Sequence, residues 1–163
     1  MDNADFLIRI LVAAALGGVI GIERELRDQP AGFRTHMLVA VGACLFTLVG
    51  AFGFQAFTGG TDTHRIQADL TRVASQVVVG IGFLGGGTIL RHGGTVRGLT
   101  TAATLWVTAA VGLAVAMGYF FAATATSILA VITLAGLKPI ERRFFARNVK
   151  QEDDPQPPAV PPD

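Results

Sequence analysis

The sequence predicts an all-α integral membrane protein of about five transmembrane helices packed through glycine-rich faces. Three observations carry this. First, 51% of the 163 residues are hydrophobic and 15% are charged, and the charges gather in short stretches that leave long uncharged runs between them. Second, five of those runs, at 6–22, 37–57, 73–90, 99–117 and 119–137, reach the roughly 17 to 25 residues that a helix needs to cross the hydrocarbon core. Third, glycine is concentrated inside two of the runs, where it costs an isolated helix about 1 kcal/mol per position relative to alanine and therefore needs a packing or functional reason.

Taken in order, the N-terminus (MDNAD) is acidic, which argues against a cleaved signal peptide and predicts that the first run is kept as a span. That run carries Gly17 and Gly21 on one helix face, a G-x-x-x-G spacing that permits close approach of another helix. The second run contains the single cysteine, Cys44, which is read as a small buried hydrophobe. The third holds Gly80, Gly82, Gly85, Gly86 and Gly87 within eight residues. These glycines either form a flat surface complementary to the first span, within one subunit or across a dimer, or interrupt the helix to line a polar path. Little more than Gly118 separates the fourth run from the fifth, which implies a very tight hairpin or a trimmed span. The expected organisation is a membrane domain over 1–138, a basic juxtamembrane segment over 139–150 and a disordered, acidic, proline-rich tail over 151–163.

With five crossings, one side receives Arg24, Arg27, Arg34, Arg91, Arg97, Lys138, Arg142, Arg143, Arg147 and Lys150, and the other Arg9, Arg65 and Arg72. The excess places the N-terminus outside and the C-terminus in the cytoplasm. A re-entrant third segment gives the same imbalance, so the count alone does not distinguish the two topologies. The net charge of +1 identifies no partner, and no nucleic acid is expected.

Polar residues gather at the predicted cytoplasmic ends of the spans: Glu23, Arg24, Arg34, Thr35, His36, Arg91, Arg97, Thr100 and Thr101. On one reading Glu23 is an interfacial anchor paired with Arg24, Arg27 or Arg34. On the other it faces a cavity with Arg34, His36 and Arg91 that favours an anion, helped by exposed helix N-termini. Thr100 or its neighbour is expected to cap the fourth span and Thr35 the second. Within the bilayer, Gln76, Thr104 and Trp106 are the notable polar positions, and Gln76 must bond across helices or line a pathway. No resident metal is predicted; Asp62, His64 and Asp69 in the outer loop are the only weak candidates, and magnesium the only cofactor entertained. There is no P-loop, zinc spacing or serine elbow, so no enzyme is expected.

Four segments, GGVIGIERE (17–25), AGFRTHMLVAVGA (31–43), RVASQVVVGIGFLGGGTIL (72–90) and VRGLTTAATLWVTAAVG (96–112), together resemble the MgtC/SapB family of bacterial inner-membrane proteins. The resemblance runs over about residues 11–136 and has the motifs in order. It implies a five-span, multi-pass domain in the bacterial inner membrane, a link to magnesium limitation and, in some pathogens, to virulence. For the best-known member it implies restraint of the proton-driven ATP synthase and effects on membrane potential. The proline-rich tail stands where longer members carry a soluble C-terminal domain. Two functions follow as expectations. One is a regulatory or interaction protein with membrane lipid, a second copy (a dimer is favoured) or a complex such as ATP synthase as partners. The alternative is a small transporter or channel for magnesium or another ion.

Overall fold

The computed structural model describes the backbone of residues 2–53, 63–92 and 94–145 and the side chains of 2–52, 72–91 and 94–136. Five helices dominate: α1 (Asn3–Glu25), α2 (Phe33–Leu48, continued by a π-helical turn over Val49–Gly53), α3 (Thr63–Gly87), α4 (Leu99–Ala116) and α5 (Phe120–Phe145). The chain is an all-α membrane protein with one small exception. β1 (Leu90–His92) and β2 (Thr95–Arg97) form an antiparallel hairpin between α3 and α4, with Leu90 opposite Arg97 and Arg91 opposite Val96.

Helices α1, α2 with its π turn, and α4 are long and apolar enough to span a bilayer, and α5 adds a shorter apolar stretch over Phe120–Gly136. Helix α3 opens with the polar sequence THRIQADLTR and carries its apolar residues in the part that follows, from Val73 onward. The helices run past the apolar runs at their ends: α1 continues through Glu23–Arg24–Glu25, α2 begins at Phe33 rather than 37, and α5 extends over the first half of the basic 139–150 segment. Residues 151–163 and Asp62 lie outside the described residues. His64 and Asp69 sit on α3 by backbone, with side chains outside them.

Helix α4 is the centre, with half of its spanning window buried. The core is built from small and branched residues: Ala13 and Ile20 of α1, Ala40, Cys44 and Leu48 of α2, and Val111 and Val115 of α4. Apolar burial drives little helix association in lipid, so such a core depends on close van der Waals fit. Glycines provide that fit at three points. A Cβ on Gly17 would lie 2.6 Å from the Ala40 Cβ and 2.7 Å from the His36 carbonyl oxygen. One on Gly21 would lie 2.7 Å from the Phe33 Cα, and one on Gly112 would sit on the Ala40 carbonyl. Ala40 is therefore clasped between α1 and α4. Hydroxyls inside this core bond to their own helix: Thr108 Oγ1 donates to the Thr104 carbonyl at 2.8 Å and Thr47 Oγ1 to that of Ala43 at 2.7 Å.

The expected pairing of the first and third spans within the chain is not what forms. The G-x-x-x-G face of α1 is used by α2, its antiparallel neighbour through a short loop. Of the α3 glycines, a Cβ added at Gly85 alone would meet a neighbour among the described residues, Ala102 of α4 at 3.5 Å, whereas one at Gly80, Gly82, Gly86 or Gly87 would meet nothing within 4 Å among them. The α4–α5 junction is the tight hairpin. Gly118 takes φ +85°, its N–H donates to the Val115 carbonyl (3.0 Å) and the Tyr119 N–H to that of Ala114 (2.9 Å), which is a Schellman stop. Arg9 straps this turn from α1, donating to the Ala116 carbonyl with its guanidinium 5.7 Å from the Phe120 ring centre.

Neither threonine cap forms. Gly98 (φ +89°) precedes α4 and Gly32 precedes α2, and neither Thr35 nor Thr100 bonds an amide there. At Gly32 the carboxylate of Glu25 reaches across from α1 and accepts from the Phe33 N–H at 2.9 Å. At Gly98 a left-handed backbone lets the hairpin turn directly into α4, and a Cβ there would collide with the Thr88 carbonyl. Gly98→Ala is expected to cost about 2 kcal/mol or more from backbone strain alone, read as a lowered thermal midpoint in detergent.

Candidate functional site

The polar cluster forms where the C-terminal end of α1 meets the starts of α2 and α4. Glu23 and Arg24 are buried (9% and 2% exposed), as are His36 of α2 (0%) and Thr101 of α4 (2%). Their positions follow from helix geometry. Gly17, Gly21 and Arg24 recur at helical spacing along the α1 face turned to α2, so the close approach that the glycines allow also draws Arg24 inward.

Glu23 is ion-paired to Arg27 one turn on, and its other oxygen lies 4.0 Å from Arg24 Nη1. Arg24 Nη2 donates to Gln29 Oε1 at 2.8 Å and to Thr101 Oγ1 at 3.4 Å, tying α1 to the loop and to α4. Arg27 Nη2 donates to the Ala135 carbonyl of α5 at 3.3 Å. His36 Nδ1 lies 2.9 Å from the Gly32 carbonyl, which can only accept, so Nδ1 carries the proton in this contact. The neutral ring then presents Nε2 as a bare acceptor. His36 Nε2, Arg24 Nε and both Glu23 oxygens are buried without a hydrogen-bond partner of good geometry. Such groups in a buried setting are held by charge pairing or by a small bound molecule.

Of the residues expected here, the structure brings together Glu23, Arg24, His36 and Thr101. Arg34, Thr35, Arg91, Arg97 and Thr100 are exposed around them, with Arg91 and Arg97 carried outward by the β-hairpin. Glu23 is thus ion-paired with Arg27 and lies near Arg24, whereas Arg34 and Arg91 are exposed at the rim of the buried cluster. Thr104 is buried and bonds the Thr101 carbonyl at 2.8 Å; Trp106 is half exposed. Gln76 bonds to no other helix among the described residues and lines a groove instead. Sequence reasoning passed over Gln29 as a partner of Arg24 and Gly112 as a contact point. Arg27 was visible as the i+4 partner of Glu23. Among the described residues no group of three or more metal-ligating side chains occurs.

The second feature is that groove, about 900 Å³ in volume, between α2 and α3 with Ala109 of α4 at its floor. Gly42 and Gly80 line it, and a Cβ added at either would meet nothing within 4 Å among the described residues, so absent side chains widen it.

A helical membrane domain with a buried carboxylate–arginine–histidine cluster where three helices meet is thereby defined. The profile of the MgtC family matches residues 10–143. The chain belongs to the MgtC family. It is 37% identical over 146 residues to "Putative magnesium transporter YhiD" of Escherichia coli strain K12, covering 90% of this chain and 66% of that protein. It is 43% identical over 149 residues to Protein MgtC of Salmonella typhimurium strain LT2 (91% and 59%) and 34% identical over 155 residues to Protein SapB of Bacillus subtilis (93% and 64%). The chain thus spans 59 to 66% of the length of these relatives. No solved structure matches it.

Proposed function

We propose that this chain is a regulatory, interacting protein of the bacterial inner membrane that acts in adaptation to low magnesium by docking on another membrane helix. The reading takes in control of membrane potential or of ATP synthase, with a role in virulence where the bacterium is a pathogen. The observation that carries it is the outer face of α3, where Gly82 and Gly86 stand at G-x-x-x-G spacing with open space above them. Val79 and Phe83 beside them are 66% and 85% exposed. Small residues flanked by large apolar ones suit close packing against a helix, and the described residues leave this face unused. The partner is a second copy of the chain or a subunit of a larger complex, with ATP synthase foremost. Ten basic residues on the cytoplasmic side and an external N-terminus complete the proposed topology.

Gly82→Leu and Gly86→Leu are expected to leave the helical fold intact and to abolish both the dimer in mild detergent and co-purification of ATP synthase subunits from native membranes. Oligomer size and co-purification that match the parent chain would contradict the docking face.

One observation favours a second reading, a small ion transporter. Glu23 is buried with both oxygens short of hydrogen bonds, and one relative's printed name includes magnesium transport. Saturable magnesium flux into liposomes containing the purified chain, lost in Glu23→Gln, would favour it over docking.

A further inference from the structure

We infer that the groove between α2 and α3 is a binding site for one anionic phospholipid, held by its phosphate at Arg34 and Thr35 and by an acyl chain along the groove. The groove exists because two glycines face a gap. Gly42 on α2 and Gly80 on α3 line it and meet nothing among the described residues, while α3 is propped in place elsewhere. At one end Val73 packs on Gly50, where a Cβ would lie 2.7 Å away, and near the other Gly85 meets Ala102. The gap is held open between these two props.

Its lining sorts by depth. Leu38, Val39, Phe46, Val77 and Leu84 make the middle apolar, whereas Arg34 and Thr35 stand at the start of α2 and Arg72 and Gln76 at the opposite end. Helices α2 and α3 run in opposite directions, so the groove follows the helices with a polar group at each end. A lipid matches the Arg34–Thr35 end and the apolar middle, with its charged head at one interface and a chain along the hydrocarbon, while Arg72 and Gln76 mark the other interface. Charge settles the class. Glu25 already occupies the first amide of α2, so recognition at that end falls to the exposed guanidinium of Arg34 and the hydroxyl of Thr35, which complement a phosphate. With the basic excess in the cytoplasm this end lies in the anionic leaflet, where basic pockets between helices select anionic head groups. A helix, about 10 Å across, would need Gly42 and Gly80 both in contact with its own backbone.

Native mass spectrometry of the full chain in detergent, with phosphatidylglycerol or phosphatidylcholine of identical chains added, tests this. The chain is expected to retain one phosphatidylglycerol in preference to phosphatidylcholine. Arg34→Ala should weaken that retention about tenfold, as loss of one charge-assisted contact implies. Gly42→Leu, and independently Gly80→Leu from the opposite wall, should abolish retention of both lipids while circular dichroism and elution volume stay unchanged. Equal retention of the two lipids by the parent chain overturns the proposal without any variant. So does retention insensitive to the glycine substitutions. A dimer that is lost in Gly42→Leu with lipid retention unchanged would instead assign the groove to a second copy. Inorganic phosphate at equal concentration should not compete, and competition by it would reduce the site to a bare anion contact.

Discussion

Gly112→Val is expected to disrupt the fold outright. The added Cβ would stand on the Ala40 carbonyl, a backbone atom on a helix already pressed from the other side by Gly17. Neither α1 nor α4 has room to retreat without opening the contacts of Ile20, Leu48, Val111 and Val115. Overpacking costs about 1–3 kcal/mol where neighbours can shift, and a backbone obstacle places this substitution at or above the top of that range. The readout is loss of the monodisperse peak in detergent and a lowered unfolding midpoint. Gly136→Val, made at an exposed glycine of α5 where an added Cβ meets nothing within 4 Å among the described residues, is the control that should leave both unchanged. A stable Gly112→Val protein would show that α2 and α4 do not meet at Ala40.

Glu23→Ala is expected to cost about 3–5 kcal/mol, because it removes one side of a buried ion pair and leaves Arg24 without a compensating charge at 2% exposure. Breaking such a pair is more damaging than replacing it. The double substitution Glu23→Ala with Arg27→Ala should therefore recover part of the loss, since it also removes the second positive charge that stands beside the uncompensated Arg24. Chemical unfolding of the four chains of this cycle in detergent measures the coupling. Destabilisation below about 1 kcal/mol for Glu23→Ala would mean that the carboxylate is solvated and that the cluster is not a lock between helices.

The helices were legible in the sequence because apolar length and charge confinement are read directly. The face of α1 was legible too, since Gly17 and Gly21 stand one turn apart. What they face was not, because a flat surface carries no address; the α1–α2 hairpin claimed it before α3 could. Gly112 passed unnoticed as one small residue in an apolar run, although it makes the tightest approach in the core. At the polar end, Glu23 was expected to pair with Arg24, Arg27 or Arg34, and the structure pairs it with Arg27 one turn on, with Arg24 at 4.0 Å. Which of the flanking residues turn inward depended on helix phase and on where each helix begins. Gly98 starting α4 puts Thr101 inside and Thr100 outside, and a β-hairpin that short-range patterns did not reveal holds Arg91 and Arg97 at the rim.

Photo-crosslinking from position 83 in native membranes tests the central claim most directly, since Phe83 is 85% exposed on the open α3 face. With a photoreactive residue there, the docking account predicts a discrete adduct containing a second copy of the chain or an ATP synthase subunit, lost when Gly82→Leu and Gly86→Leu are added. Absence of any protein adduct, or an adduct indifferent to those two substitutions, would contradict it.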